Sequence, residues 1–156
     1  MSVAFRRESD EEHKEPRFEL PIPPGPNLVT RRGLALTEAK VAELEAALAA
    51  APEAEREDVA RTLRYWRTRK ATAQLAPDPA GDEAAFGTRV FFRHDAKVRT
   101  VEIVGDDEAE PAEGRIAFSA PLARALIGVA PGERARFGGR DDAIEVLSVD
   151  PLEPLI

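Results

Sequence analysis

From Val29 onward, apolar residues recur at the spacing of an amphipathic helix, in two runs separated by Pro52. The first run follows Thr30, a good helix cap, and the second begins near Glu55–Asp58. Each run places its apolar side chains on one stripe of a helix. Because a short connection brings two such helices side by side, the pattern predicts an antiparallel helical hairpin over residues 28–78, about 30 Å long. The stripes are formed by Leu34, Val41, Leu44, Leu48, Val59, Leu63, Trp66 and Ala73.

Beyond residue 82 the helical period gives way to short runs with a period of two, bounded by Gly, Asp and Pro. This alternation is typical of β-strands. A short helix opens at Pro121, since proline is tolerated in a first helical turn, and Gly138–Gly139 form a hairpin turn. Residues 83–156 are therefore predicted to fold as a compact domain of the α+β class. Its predicted strands lie at 90–92, 100–104, 115–118, 133–137 and 144–147.

Residues 1–27 differ from both of these regions, because their apolar residues are scattered and five prolines occur among them. Proline fixes the backbone and lacks an amide donor, so this composition disfavours an independent fold. We interpret residues 1–27 as a Pro-rich N-terminal arm that is mobile or loosely docked. Residues 76–82 have the composition of a linker between the hairpin and the second domain.

The charge of the chain is unevenly distributed. The 156 residues carry a net charge of −7, of which residues 81–156 contribute −6, while residues 28–80 have a net charge of +1. Such a balance argues against binding to nucleic acid by bulk positive charge. The absence of cysteine excludes disulfides, a thiolate zinc site and a cysteine nucleophile. No apolar run is long enough for a membrane span or a signal peptide, so we expect a cytoplasmic protein without a membrane partner.

Two charged clusters are candidates for function. Acidic residues gather at the predicted tip of the hairpin, residues 52–58, and could be ordinary helix-dipole partners or could add ligands to a magnesium ion in another protein's active site. These acids are Glu53, Glu55, Glu57 and Asp58. Basic residues follow the second helix and could be a solvated face or could contact RNA phosphates or an acidic protein. The candidates among them are Arg61, Arg64, Arg67 and Lys70, with Arg69 in the same run.

Catalytic constellations of the usual kinds are missing from the sequence. His13 and His94 have no second histidine at ligand spacing, and Ser119 has no paired base. We therefore expect no stably bound metal, no cofactor and no catalytic residue of the chain's own.

Three motifs in the C-terminal half resemble the C-terminal domain of the Gre family (GreA/GreB) of bacterial transcription elongation factors. They are Phe86-Gly87-Thr88-Arg89-Val90, Val104-Gly105-Asp106-Asp107-Glu108-Ala109 and Pro121-Leu122-Ala123-Arg124-Ala125-Leu126-Ile127-Gly128. The resemblance covers residues 83–150. Upstream, residues 28–34 resemble the opening of the family's first hairpin helix.

The resemblance implies a coiled-coil hairpin and an FKBP-like C-terminal domain that docks at the rim of the RNA polymerase secondary channel. The hairpin would then enter the channel, where tip acids help to hold a transient magnesium ion for cleavage of backtracked RNA. The protein would be an accessory factor, monomeric, with RNA polymerase as partner and RNA met only within that complex. The residues implied for docking are Asp106, Asp107, Glu108, Ala120, Pro121, Leu122, Ala123 and Arg124.

This sequence departs from the family in three ways. The family's acidic tip motif has no counterpart, the hairpin is shorter by about ten residues per arm, or roughly 15 Å, and Ala117 and Ala120 stand where the family has serines. Two alternatives therefore stay open. One is a secondary-channel binder without cleavage activity, resembling the regulators of nucleoside diphosphate kinase. The other, from a different class, is an FKBP-like prolyl isomerase, which would need an aromatic-lined pocket.

Overall fold

The computed structural model describes residues 19–152 and begins, after an extended segment, with two long helices. Helix α1 spans Arg31–Ala50 and helix α2 spans Glu53–Thr72. The Thr30 hydroxyl accepts a 2.9 Å hydrogen bond from the Gly33 amide and so caps α1, as predicted. Pro52 separates the helices, since a residue before proline avoids the helical conformation.

The start of the second helix corrects one prediction. Helix α2 begins at Glu53 rather than near Glu55–Asp58, because Pro52 itself is the N-cap residue. The connection is therefore only two residues long, and the acids of residues 53–58 lie in the first two turns of α2 instead of in a loop. Glu53 and Glu55 in the first turn and Arg69 and Lys70 in the last one complement the helix dipole.

The predicted apolar stripe of α1 is only partly buried. Val41 is 5% exposed, whereas Leu34, Leu44 and Leu48 are half-buried. Two helices can cover only one side of each other, and no third element of the described chain lies over the outer half of this hairpin. In α2, Leu63 is fully buried and Trp66 is half-buried, with the Lys40 amino group 6.0 Å from the centre of its ring.

A small parallel sheet forms the root of the hairpin. Strand β1 (Leu28–Val29) precedes α1, and strand β2 (Gln74–Leu75) follows α2, with Leu28 paired to Gln74 and Val29 to Leu75. The prediction that Val29 starts the helix is therefore wrong. The backbone there is extended because Val29 is β-branched and its carbonyl accepts a hydrogen bond from the Ala76 amide.

The C-terminal domain contains a five-stranded sheet with the strand order β5-β4-β3-β7-β6. Neighbouring strands of this sheet are antiparallel, except for β4 and β5, which are parallel to each other. The glycines at 138 and 139 have φ of 62° and 81° and join the last two strands, as predicted. The strands are β3 (Thr88–His94), β4 (Lys97–Val104), β5 (Arg115–Ala117), β6 (Arg134–Phe137) and β7 (Arg140–Pro151).

Short helix α3 (Pro121–Leu126) closes one face of this sheet and completes the α+β fold predicted from the sequence. The apolar core lies between α3 and the inward-facing positions of the central strands. Its fully buried members are Ala84, Val90, Phe92, Ile103, Ala123, Leu126, Ile144 and Val146. Strands β3, β4 and β7 extend beyond the predicted runs because the residues at their ends still pair through the backbone, whereas β5 and β6 are each one residue shorter than predicted.

The loop after β4 approaches the root of the hairpin very closely at Gly105. A Cβ atom on Gly105 would lie 2.3 Å from the Leu28 carbonyl oxygen, which is backbone and belongs to β1. A Cβ atom on Gly33, in the first turn of α1, would lie 2.8 Å from Oε1 of Glu108, which is a side-chain atom. Both glycines therefore allow the loop and the hairpin root to pack together.

We predict that Gly105→Ala destabilises the protein by about 2–4 kcal/mol, because overpacking against backbone forces a main-chain shift. The free energy of unfolding is measured by urea denaturation, with the fluorescence of Trp66, the single tryptophan, as the probe. Because Trp66 lies in α2, the probe reports on the hairpin itself. Gly33→Ala is the matched comparison and costs less, since a carboxylate can move more easily than a strand. A Gly105→Ala variant as stable as the parent would contradict the packing described here.

Candidate functional site

The acids predicted at the hairpin tip do not share one environment. Glu57 accepts a 3.1 Å hydrogen bond from Arg64, and Asp58 accepts a 3.0 Å bond from Arg61. Glu53 and Glu55 lie one turn earlier and are exposed. Within residues 19–152, no three His, Cys, Asp or Glu side chains are grouped so that they could hold a metal ion. By themselves these acids do not fit a metal site, and Glu53 and Glu55 could only add ligands to an ion held elsewhere.

The basic residues of α2 are largely engaged in ion pairs. Arg61 bonds to Asp58 as described, and Arg67 bonds across the hairpin to Glu45 at 3.1 Å. Arg64 makes two 2.8 Å bonds to Glu19, close to the start of the described chain. These bonds raise the pKa of Arg64 and lower that of Glu19. Lys70 is exposed. The remainder of the predicted arm, residues 1–18 with His13, lies outside the described residues.

The loop expected to dock on a partner, Asp106 to Glu108, is mostly occupied inside the chain. Asp107 accepts hydrogen bonds from the Tyr65 hydroxyl and from Nε of Arg69, the latter at 2.5 Å. Glu108 is 7% exposed and faces α1 instead. Asp106, which like Asp107 is half-buried, bonds within the sheet domain instead, where its carboxylate accepts a 3.1 Å bond from the hydroxyl of the exposed Ser119.

Arg69 is the largest fully buried side chain described, with 2% exposure. Its Nη2 donates to Oδ1 of Asn27 at 2.8 Å, while the Asn27 amide nitrogen donates to the Arg69 carbonyl at 2.8 Å and to the Thr72 hydroxyl at 3.1 Å. Burial, followed by the bond to Asp107, raises the pKa of Tyr65. A buried guanidinium is therefore matched by a carboxylate and an amide, which is the arrangement that makes such burial tolerable.

Glu108 makes the equivalent connection to α1. Its Oε1 accepts a 2.6 Å bond from the Thr30 hydroxyl, the same oxygen that caps α1, and its Oε2 accepts a 2.9 Å bond from Arg32. Two consecutive acids of one loop thus bind the ends of two different helices. The sequence placed Arg69 in a basic run interpreted as a solvated face or a contact surface for RNA or an acidic protein, although Arg69 lies three positions after Trp66 and so close to the buried stripe. No pattern in the sequence indicated that the side chain of Asn27 would take part in these contacts.

The docking residues expected in the α3 segment also divide into two groups. Ala123 is fully buried, and Leu122 packs against the apolar core, so both contribute to stability of the sheet domain. Pro121 and Arg124 are exposed, and Ala120, the N-cap residue, is half-buried. The start of this segment lies near Asp106, because Ser119, which bonds to Asp106, immediately precedes Ala120.

A cleft of about 270 Å³ lies between the hairpin root and the sheet domain. Arginines in it are paired with acids: Arg31 with Asp78, Arg32 with Glu108, and Arg89 with Glu102. Charge in this cleft is therefore largely compensated. His94, far from it at the end of β3, packs edge-to-face on Phe137 with ring centres 5.6 Å apart.

Neither long helix of residues 19–152 combines the length and apolar character that crossing a bilayer requires.

Comparison with known proteins identifies the C-terminal part of the chain. Residues 78–151 match the family described as "Transcription elongation factor, GreA/GreB, C-term".

Curated relatives carry the same family name. The chain is 36% identical over 101 residues to transcription elongation factor GreB of Neisseria meningitidis serogroup B, and this covers 60% of the chain and 61% of the relative. It is 39% identical over 74 residues to transcription elongation factor GreA of Sinorhizobium medicae, covering 45% of the chain and 47% of that relative. The chain thus spans about three fifths, or less, of the length of these relatives.

Among solved structures, the GreA/GreB factor of Nitrosomonas europaea aligns with 81% of the chain and 99% of its own, at 17% identity and a TM-score of 0.39. GreA factor homolog 1 (Gfh1) of Thermus thermophilus aligns with 80% of the chain and 99% of its own, at 13% identity and a TM-score of 0.37. Because these scores are low, the assignment depends on the sequence matches. The sequence matches therefore identify residues 78–151 as similar to the C-terminal domain of the GreA/GreB family of transcription elongation factors.

Proposed function

We propose that this protein regulates transcription elongation by binding RNA polymerase at its secondary channel. The observation that carries the proposal is the match of residues 78–151 to the GreA/GreB C-terminal domain, in a chain whose preceding residues form a two-helix hairpin. In this proposal the sheet domain docks at the rim, and the hairpin, about 30 Å long, enters the channel. The protein is an accessory factor, and the catalytic site belongs to the polymerase.

The docking surface in this proposal is smaller than the motif implies. We assign it to Asp106 and, in the α3 segment, to the half-buried Ala120 and the exposed Pro121 and Arg124. The bond between Asp106 and Ser119 holds Asp106 near the start of this segment. Asp107 and Glu108 are bonded to the hairpin, and Leu122 and Ala123 contribute to packing, so they support the surface without forming it.

Contacts with RNA or with the channel walls fall to the exposed basic residues of α2. Lys70 is the first candidate, and Arg64 and Arg67 are available once their surface ion pairs, which are worth little in water, exchange for phosphate or carboxylate partners. The overall charge of −7 supports RNA contact only within the polymerase complex.

The prolyl isomerase alternative is not favoured, because the relatives are named as elongation factors. Three phenylalanines of the sheet domain are also used for packing. Phe92 is fully buried, and Phe86 stacks edge-to-face on Phe118 with ring centres 5.5 Å apart. Only Phe86 among them lines the cleft described above.

We predict that the purified protein co-purifies with core RNA polymerase at micromolar concentration, and that Asp106→Arg combined with Arg124→Glu weakens binding at least tenfold. Reversing rim charges opposes the complementary partner surface. The control reverses a remote pair, Arg136→Glu with Asp141→Arg, which bonds across the β6–β7 turn, and stays within twofold of the parent. No binding of the parent chain at micromolar concentration would overturn the proposed function.

We further propose that the tip acids contribute to a magnesium ion in the polymerase active site, and the structure supports Glu53 and Glu55 rather than the paired Glu57 and Asp58 for this role. Glu53→Ala with Glu55→Ala should then reduce cleavage of RNA in backtracked complexes at least tenfold. Glu43→Ala, which removes an exposed acid of α1, is the control. Cleavage unchanged by the double substitution would reject the role. The absence of any stimulated cleavage would favour the alternative of a channel binder that does not cleave.

A further inference from the structure

The buried contacts at the hairpin root have a function that the family motif does not suggest. We propose that Arg69, Asp107 and Glu108, with Tyr65 and Asn27, form a latch that fixes the direction in which the hairpin leaves the sheet domain. In this account Asp107 and Glu108 act inside the chain, and Arg69 and Asp107 are positioning residues for the hairpin tip. Their significance for transcription rests on the function proposed above, but the latch itself does not.

The latch holds both helices at once. Asp107 binds Tyr65 and Arg69 of α2, whereas Glu108 binds Thr30 and Arg32 at the start of α1. Because the two acids are adjacent in sequence and their loop touches β1 at Gly105, they are fixed with respect to each other. Attachment at one point would allow the hairpin to rotate, and attachment of two helices opposes that rotation.

Apolar packing does not provide the same constraint. The apolar core of the sheet domain consists of residues between Ala84 and Val149, and the buried Val41 and Leu63 of the hairpin are not among them. Val29 of β1 is also buried next to Gly105, at 6% exposure, but the most deeply buried side chains that form hydrogen bonds between hairpin and domain are charged: Arg69 is 2% exposed and the Glu108 side chain 3%. Hydrogen bonds depend on the angle between donor and acceptor and so fix an orientation, whereas apolar contacts do not.

The chemistry requires arginine at position 69. Its Nε and Nη2 bind two different acceptors, Asp107 and Asn27, and Asn27 in turn binds the Arg69 carbonyl. Lysine has a single donor atom on a flexible chain and cannot hold the two acceptors in this fixed arrangement. Asn27 also ties the chain segment just before β1 to the last turn of α2.

Direction matters because the hairpin is long. Over about 30 Å, a rotation of roughly 10° at the root displaces the tip by about 5 Å. Such a displacement exceeds the tolerance within which ligands or contacting groups act on a reacting centre. A factor whose tip must enter another protein's channel therefore needs a fixed root.

The test uses the absence of cysteine from the chain, so that two introduced cysteines are the only labelling sites. Spin labels are placed at Ala54→Cys, exposed near the tip, and Lys97→Cys, exposed in the sheet domain. Electron–electron double resonance then measures the distance distribution between them. We expect one narrow distance distribution for the parent protein. The distribution should be at least twofold broader for Asp107→Asn and for Arg69→Lys, while the sheet domain of both variants still unfolds in a cooperative thermal transition.

Asp106→Asn is the matched control for this distance measurement, since it makes the same chemical change one residue earlier, and its distribution should equal the parent's. Unchanged widths for Asp107→Asn and Arg69→Lys, or equal broadening by Asp106→Asn, would overturn the latch. If those variants fail to fold, Tyr65→Phe removes a single hydroxyl from the same network, and an unchanged width for it would likewise overturn the proposal.

A second readout addresses positioning. The affinity of the Asp107→Asn variant for polymerase should stay within threefold of the parent's, while its effect on the rate of elongation falls at least tenfold. This difference separates positioning of the hairpin from docking of the domain. Equal losses of binding and effect would contradict a positioning role. Failure of the parent to bind polymerase would refute the proposed function alone, because the distances are measured without polymerase.

Discussion

The bond between Arg69 and Asp107 is the interaction on which the arrangement of the two parts depends. Burying a guanidinium to 2% exposure is costly unless a carboxylate and further acceptors surround it. The loop after β4 provides the carboxylate, and Asn27 provides the amide. The need to satisfy one buried charge thus brings together three segments that are distant in sequence: the chain before β1, the end of α2 and the β4–β5 loop.

The remaining features of the root follow from this requirement. The loop must approach β1 closely enough for Asp107 to reach Arg69, and Gly105 allows this because it has no side chain. Glu108, the next residue, then meets the N-terminus of α1, where the Thr30 hydroxyl both caps the helix and donates to the carboxylate. A carboxylate at this position is also favoured by the helix dipole. The net charge of −6 in residues 81–156 therefore includes acids whose partners are on the hairpin.

Much of this fold could be predicted from the sequence, because periodicity reports burial along one element. The helices, the sheet strands, the Gly138–Gly139 turn and the α3 helix all follow from local patterns. The root of the hairpin could not be predicted in the same way. Strand β1 is only two residues long, so it has no measurable period, and the burial of Arg69 depends on Asp107, 38 positions away. The resemblance alone therefore implies a docking surface for the whole acidic loop, whereas Asp107 and Glu108 bond to the hairpin and Asp106 bonds to Ser119.

The most direct test of this account is a double-mutant cycle on the latch, with Arg69→Met, Asp107→Leu and the two combined, measured by urea unfolding with Trp66 fluorescence. Each single substitution leaves a buried polar partner unmatched and should cost about 2–4 kcal/mol. The double variant should be more stable than the sum of these costs predicts, by at least about 1.5 kcal/mol, because both charges are then removed together. Single costs that add within about 0.5 kcal/mol would show that Arg69 and Asp107 act independently, and would contradict the account.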